Sequence, residues 1–379
     1  MSERFYLDYN ATAPLRPEVR DAMIGALALT GNPSSVHAEG RAARAALDNA
    51  REQVAALVGV RPEDVIFTSG GTEANALALH LRHGKSWHYF ASAIEHPSVL
   101  ANAPAETSQI PVNSDGVVDL DWLAAALEKT GENAGRPFVS LMLANNETGA
   151  IQPVRRAAEI VHAAGGVMHT DAVQAPGRIP LDINELDADL LTLSAHKIGG
   201  PKGVGALVLK PGTAIEPLLK GGGQEGRRRA GTENIAGIAG FGIAAEMARE
   251  YAGNARKLDD LRRELEDGAR ALVPEAVIVS SAVPRLPNTT CIAVAGAKAE
   301  TLVIGLDLAG VAVSAGSACS SGKVEASHVL TAMGLDPEIA AGAIRVSLGF
   351  STRNTDIQVF LEAWSGLVAR LKQGRKAAA

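Results

Sequence analysis

Two hydrophobic periods alternate along the chain. Between Val65 and Leu209, short apolar runs (VIFTS, HYFASA, FVSLMLAN, VMHTDAV, LLTLSAH and GALVL) are separated by longer stretches with helical spacing. Strands that alternate with helices in this way build a mainly parallel sheet with helices packed on both faces. A helical block runs from about Glu233 to Val273, and a second strand set follows it: VIVSS, CIAVAG, VAVSAG and AIRVSLGF. The pattern predicts an α/β fold with a large sheet-bearing domain and a smaller companion, the boundary falling inside the helical block. No internal repeat is evident, and the basic tail LKQGRKAAA is expected to fray.

Composition sharpens this picture. Only 4% of the 379 residues are aromatic while 39 are glycine, which favours helices on a sheet over an aromatic-rich sandwich. The net charge of −6 opposes a broad nucleic-acid surface, although Arg227 to Arg229 form a local cationic run. No apolar stretch reaches the roughly 18 to 20 residues that span a bilayer, and MSERFYLDYN lacks the apolar segment of a signal peptide. The expected location is cytoplasmic, without membrane or direct nucleic-acid contact.

Two cysteines give no disulfide framework. Cys291, in the alternating run NTTCIAVAG, reads as a packing residue. Cys319 is different, because SAGSACSSGK surrounds it with small and polar residues and offers no bulky apolar neighbour.

Parallel strands present their C-terminal ends to ligands, and the polar motifs fall there. After VIFT comes SGGTEAN, where Gly71 and Thr72 open a helix; the motif suits a phosphate cradle or a threonine-capped turn. After LLTL comes SAHKIGGPKG, placing Lys197 beside Ser194 and His196; such a lysine can condense with an aldehyde, or simply be solvated. After VMHT comes DAVQ, where Asp171 can pair with a protonated pyridine nitrogen or cap a turn, with Gln174 three residues on. A lysine, an aspartate and a phosphate cradle at three strand ends together imply pyridoxal phosphate.

Further candidates surround these. EHPSV supplies His96, able to lie on a cofactor ring, and NNETG supplies Asn146 near the same rim. The polar glycine loop GGGQEGRRRAGTEN ends at Thr232 before a helix and is either a linker or a phosphate-binding segment for a neighbouring site. In AIRVSLG, Arg345 can clamp a carboxylate or form a structural ion pair.

Taken together, SGGTEAN, EHPSV, NNETG, DAVQ, SAHKIGGPKG, GGGQE with GTEN, and SAGSACSSG closely resemble the cysteine desulfurases, the NifS- and IscS-like branch of the class V aminotransferase group. The resemblance runs from LDYNATAP near Leu7 to Gly349. It implies a fold type I homodimer dependent on pyridoxal 5'-phosphate. A large domain would span 15–255, and a small domain built from 1–14 and 256–379 would carry the cysteine loop.

By the same resemblance, Lys197 holds the cofactor covalently and later moves protons, Asp171 pairs with its ring nitrogen, His96 stacks on the ring and Gln174 meets the phenolic oxygen. Gly71, Thr72, Ser194 and His196 bind the phosphate, with Thr232 contributed across the dimer. Asn146 and Arg345 hold the substrate carboxylate. Cys319 matches the catalytic cysteine, which takes sulfur from L-cysteine as a persulfide while L-alanine leaves.

The persulfide would pass to an iron–sulfur scaffold or another sulfur-acceptor protein. Iron–sulfur assembly, nitrogenase maturation and tRNA thiolation all stay open as destinations. No metal is expected in the resting enzyme, Cys319 being able to lend one transient cluster ligand during transfer. A selenocysteine lyase or another class V aminotransferase is the nearest alternative, and Cys319 separates it. A non-catalytic sulfur-transfer platform is opposed by Lys197, Asp171 and His96. Ala230 and Ala315 stand where serine is frequent in the family, and neither removes a needed group.

Overall fold

The structure is a computed structural model that describes residues 4–80, 87–129, 135–251, 255–316 and 326–378, the side chains of 371–378 excepted. Its seven-stranded sheet has the spatial order Val65–Thr68, Gly205–Leu209, Leu190–Ser194, Val167–Asp171, Arg136–Ser140, Trp87–Ser92, Ser108–Ile110. Gly205–Leu209 runs antiparallel to both neighbours, and the other pairs are parallel.

Successive side chains of a strand point to opposite faces, and here both faces are buried. Val65, Phe67, Val139, Met168 and Leu191 join one apolar cluster, whereas Ile66, Phe138, Val167 and Leu190 join another. The helices Ala38–Val58 and Ile235–Tyr251 cover the first face with Leu47, Val54, Ile238 and Phe241.

A separate apolar cluster surrounds the four-stranded antiparallel sheet Ser314–Ala315, Ala343–Ser347, Thr289–Ala293, Val277–Ile278. Leu265 from the helix Ala255–Leu272, Leu302 from Ala299–Leu308 and Trp364 from Asn354–Ala378 fill it. The N-terminal segment ties the two bodies together. Leu7 packs in this second cluster, and the Asn10 amide then donates to Ser347 Oγ at 2.9 Å.

Several boundaries differ from the pattern. VAVSAG is not one strand: Val311–Ala312 pairs in parallel with Phe5–Tyr6, whereas Ser314–Ala315 pairs with the strand of Arg345. FVSLMLAN is a strand only to Ser140; the Leu141 and Leu143 amides still donate to the His169 and Asp171 carbonyls, while the Met142 amide is taken by the Glu95 carboxyl at 2.5 Å. The helical block is two helices, one in each core. The tail expected to fray is instead helical to Ala378, in keeping with its alanine, lysine and arginine content.

Candidate active site

Where the parallel strands end, a cavity of about 410 Å³ opens between the large sheet and the strand of Arg345. Every candidate named from the sequence lines it except Thr232 and Cys319. Cys319 lies outside the described residues, although Ser314 and Gly316, just before it along the chain, line the cavity.

The helix Gly71–Leu79 aims its N-terminus at this space. Gly70 turns the chain at φ 156°, and a Cβ on the facing Gly205 would lie 2.5 Å from its carbonyl carbon, so the tight approach requires glycine. A Cβ on Gly71 would sit 3.2 Å from Val173 Cγ2, a tight contact, and 3.4 Å from Ser194 Cβ. Among the described residues, the Gly71 and Thr72 amides meet no acceptor, as is usual for the first turn of a helix. Glu73, in the same turn, does not compete for the cradle: it accepts from the Ser69 amide and pairs with Arg229 at 2.8 Å. Free amides beside the Ser194 hydroxyl suit a phosphate.

Asp171 closes its strand and is 7% exposed. Its Oδ1 accepts from the Val173 amide at 3.0 Å and its Oδ2 from Asn75 Nδ2 at 2.7 Å. Both donors are neutral. A buried carboxylate held only by neutral amides still lacks a countercharge, which a protonated ring nitrogen would supply.

Lys197 ends the short turn Ala195–Lys197, and its Nζ donates to the carbonyls of Asn10 and Ala11 at 2.6 and 2.9 Å. Gln174 donates from Nε2 to the Asn10 carbonyl at 3.1 Å, while Arg178 Nη1 donates to its Oε1. Burial pushes the Arg178 guanidinium down to about 9, with Arg345 adding to the effect.

Two histidines reach the cavity, and burial disfavours the charged form of both. Burial pushes His196 down to about 4, helped by Lys197 and Lys202. His96 caps the short helix Pro97–Leu100, its Nδ1 accepting from the Ser98 amide at 3.1 Å. Burial lowers its pKa; Asp171 opposes the shift, and Lys197 and His328 reinforce it.

Of the paired amides in NNETG, Asn145 is fully buried and builds the turn by accepting from the Glu147 and Thr148 amides at 2.9 Å. Asn146 faces the cavity, and its carbonyl accepts from Arg345 Nη1 at 3.1 Å. The structural ion-pair reading of Arg345 holds, and the pair does not remove the residue from the cavity. It lines the cavity, and its Nη2 is also bound to Asp8 Oδ1 at 2.8 Å.

The glycine loop is not a slack linker. Buried Glu225 accepts a two-pronged contact from Arg51, both distances 2.7 Å, and a further bond from the Phe67 amide. Thr232 is left exposed and away from this cavity within the single chain. Two arginines of the run are tied down as well, since Arg228 donates to the Glu63 carbonyl and Arg229 pairs with Glu73.

The family model for aminotransferase class-V matches residues 5–360. This chain belongs to the class V aminotransferase family. It is 44% identical to a cysteine desulfurase of Cereibacter sphaeroides, covering 98% of this chain and 97% of the relative. It is 41% identical to cysteine desulfurase IscS of Dictyoglomus turgidum, over 98% and 96%. The crystal structure of a NifS-like protein from Rickettsia africae superposes with a TM-score of 0.89 at 37% identity, over 97% of this chain and all of that one. Enzymes of the family depend on pyridoxal phosphate.

In this member of the class V aminotransferase family the sequence reading missed five polar contributors to the cavity: Asp8, Asn10, Asn75, Ser98 and Ser314. Asn75, Ser98 and Ser314 sit inside motifs read for other residues, whereas Asp8 and Asn10 lie in LDYNATAP, where no residue was singled out. Cys291, by contrast, packs as expected: it is 1% exposed, and burial pushes its thiol up to about 12. Among the described residues, no cluster of three His, Cys, Asp or Glu could hold a metal, and no helix is long and apolar enough to cross a membrane.

Proposed function

We propose that this chain is a cysteine desulfurase that works with pyridoxal 5'-phosphate, takes sulfur from L-cysteine, releases L-alanine and leaves a persulfide on Cys319 for an acceptor protein in iron–sulfur cluster assembly. One observation carries the reading. A lysine, a buried carboxylate without a countercharge and an open helix N-terminus share one cavity with an arginine from the second sheet.

In that cavity the Gly71 and Thr72 amides, with Ser194 and His196, would hold the phosphate. Asp171 would balance the ring nitrogen, His96 would lie on the ring and Gln174 would reach the phenolic oxygen. When bound, the cofactor supplies an electron sink for the electrons freed at the substrate's α-carbon. Lys197 Nζ takes and returns the α-proton, and Asn146 and Arg345 orient the substrate carboxylate. The Cys319 thiolate forms an S–S bond to the substrate sulfur as the C–S bond breaks. The electron pair left on the carbon side takes up a proton and becomes alanine.

The exposed Thr232, carried on a loop clamped by Glu225 and Arg229, suits delivery to the phosphate site of a second copy in a homodimer. Residues 15–255 would form the cofactor domain, with 1–14 and 256–379 as the companion, in a cytoplasmic enzyme. The test is alanine and sulfide release from L-cysteine plus a reductant, comparing the wild type with Cys319→Ala at matched cofactor loading. Loss of turnover in the variant supports the reading. Undiminished turnover makes Cys319 a bystander and leaves a lyase or an aminotransferase in its place.

A further inference from the structure

Asn75 and Ser98 have no part in the roles above, yet they join two cavity residues whose protonation matters. Asn75 is 1% exposed on the helix Gly71–Leu79. Its Nδ2 donates to Asp171 Oδ2 at 2.7 Å and to Ser98 Oγ at 2.9 Å. Ser98 Oγ lies 2.8 Å from His96 Nδ1, and the Ser98 amide lies 3.1 Å from the same nitrogen.

The direction of each bond follows from groups that cannot reverse. A carboxylate only accepts, so the atom of Asn75 that faces Asp171 is its NH2 rather than its oxygen. That NH2 also donates to Ser98 Oγ, which leaves the hydroxyl hydrogen for His96 Nδ1. The backbone amide of Ser98 is always a donor. His96 Nδ1 therefore keeps a lone pair, and the single ring proton resides on Nε2.

We propose that Asn75 and Ser98 are positioning residues that orient Asp171 and hold His96 as the neutral Nε2–H tautomer, so that one imidazole N–H is the hydrogen-bonding group His96 has left to offer. The charged and titratable neighbours acting on this ring are Asp171, Lys197 and His328. Only the identity of what that N–H meets rests on the cofactor reading. The tautomer is a property of the chain.

The experiment is 15N NMR of the histidine rings in the full chain, with and without pyridoxal phosphate, assigned through a His96 variant. At pH 7 the wild type shows His96 protonated at Nε2 alone. Ser98→Ala removes a donor to Nδ1, and Asn75→Ala frees the hydroxyl to turn away. Each raises the His96 pKa by about half a unit to one unit, the worth of one hydrogen bond. Ser98→Thr restores the wild-type value. An Nδ1–H tautomer or an imidazolium in the wild type at pH 7 overturns the proposal, as does an unchanged titration in both alanine variants. A chain that shows the expected tautomer but binds no pyridoxal phosphate keeps this inference and loses the cofactor reading; a chain that binds it with the other tautomer does the reverse.

Discussion

Asp171 and Glu266 are buried carboxylates in different parts of the molecule, and they are held in opposite ways. Glu266, 5% exposed in the second core, accepts from Arg262, from both terminal nitrogens of Arg285 at 2.8 and 3.0 Å, and from Thr290 at 2.8 Å. Burial pushes its pKa up, but Arg285 and Arg262 more than offset this, so the carboxyl is held below its ordinary value. Asp171 receives two neutral amides. One charge is closed within the chain and serves the fold; the other is left open toward a cavity. Glu95 stands apart from both. Its Oε1 takes one amide, its Oε2 has no partner among the described residues, and burial pushes its pKa up to about 8.

The comparison breaks if open groups prove structural or closed ones catalytic. The largest expected effect is that of Lys197→Ala, which lowers alanine formation about ten-thousandfold in a steady-state assay, the upper range for a positioned proton carrier, and barely moves the urea midpoint. Next is Glu266→Ala, which strands the buried Arg285 guanidinium, leaves Arg262 with Asp259 alone, and costs about 3 to 5 kcal/mol in urea unfolding. Turnover per folded molecule stays unchanged. Asp171→Asn should lower kcat/KM about a hundredfold with little loss of stability; a large stability loss with intact activity would erase the contrast.

The last expected effect concerns Glu95 and appears only as pH changes. Its folded pKa of about 8 lies above the ordinary carboxylate value of 4.5, so the unfolded chain releases this proton first. The associated stability is present below pH 4.5 and is lost as pH rises toward 8. Urea titrations of wild type and Glu95→Gln should therefore diverge over that window, the variant gaining relative to wild type as pH increases. Parallel curves would mean that Glu95 is solvated as an ordinary carboxylate.

Much of the cavity was legible because a parallel sheet gathers its strand ends. Once VMHTD and LLTLS are read as strands, Asp171 and Ser194 must lie at the same edge. What escaped depended on contacts far apart in sequence. Asn75 looks like an exposed polar residue within TEANALAL, but Ala74 and Ala78 are buried as well, so the helix is covered on more than one side. A lone polar residue in the apolar run ANALAL was the available signal. Asn10 has no local signature, because its partners Thr289 and Asn288 lie some 280 positions away in sequence. VAVSAG could not be divided from its apolar pattern, since the division is imposed by the Phe5–Tyr6 strand pairing with its first half.

Arg345 carries a consequence for affinity. Its guanidinium already has an internal ligand in Asp8, and the buried Nε finds no acceptor among the described residues. A carboxylate arriving there, as the proposed function requires, would enter a competition in which one anion is weighed against another. Under the proposed function, substrate affinity at this position would be set by a difference between two like interactions, which would moderate how tightly the carboxylate is gripped and leave the arginine compensated each time product departs.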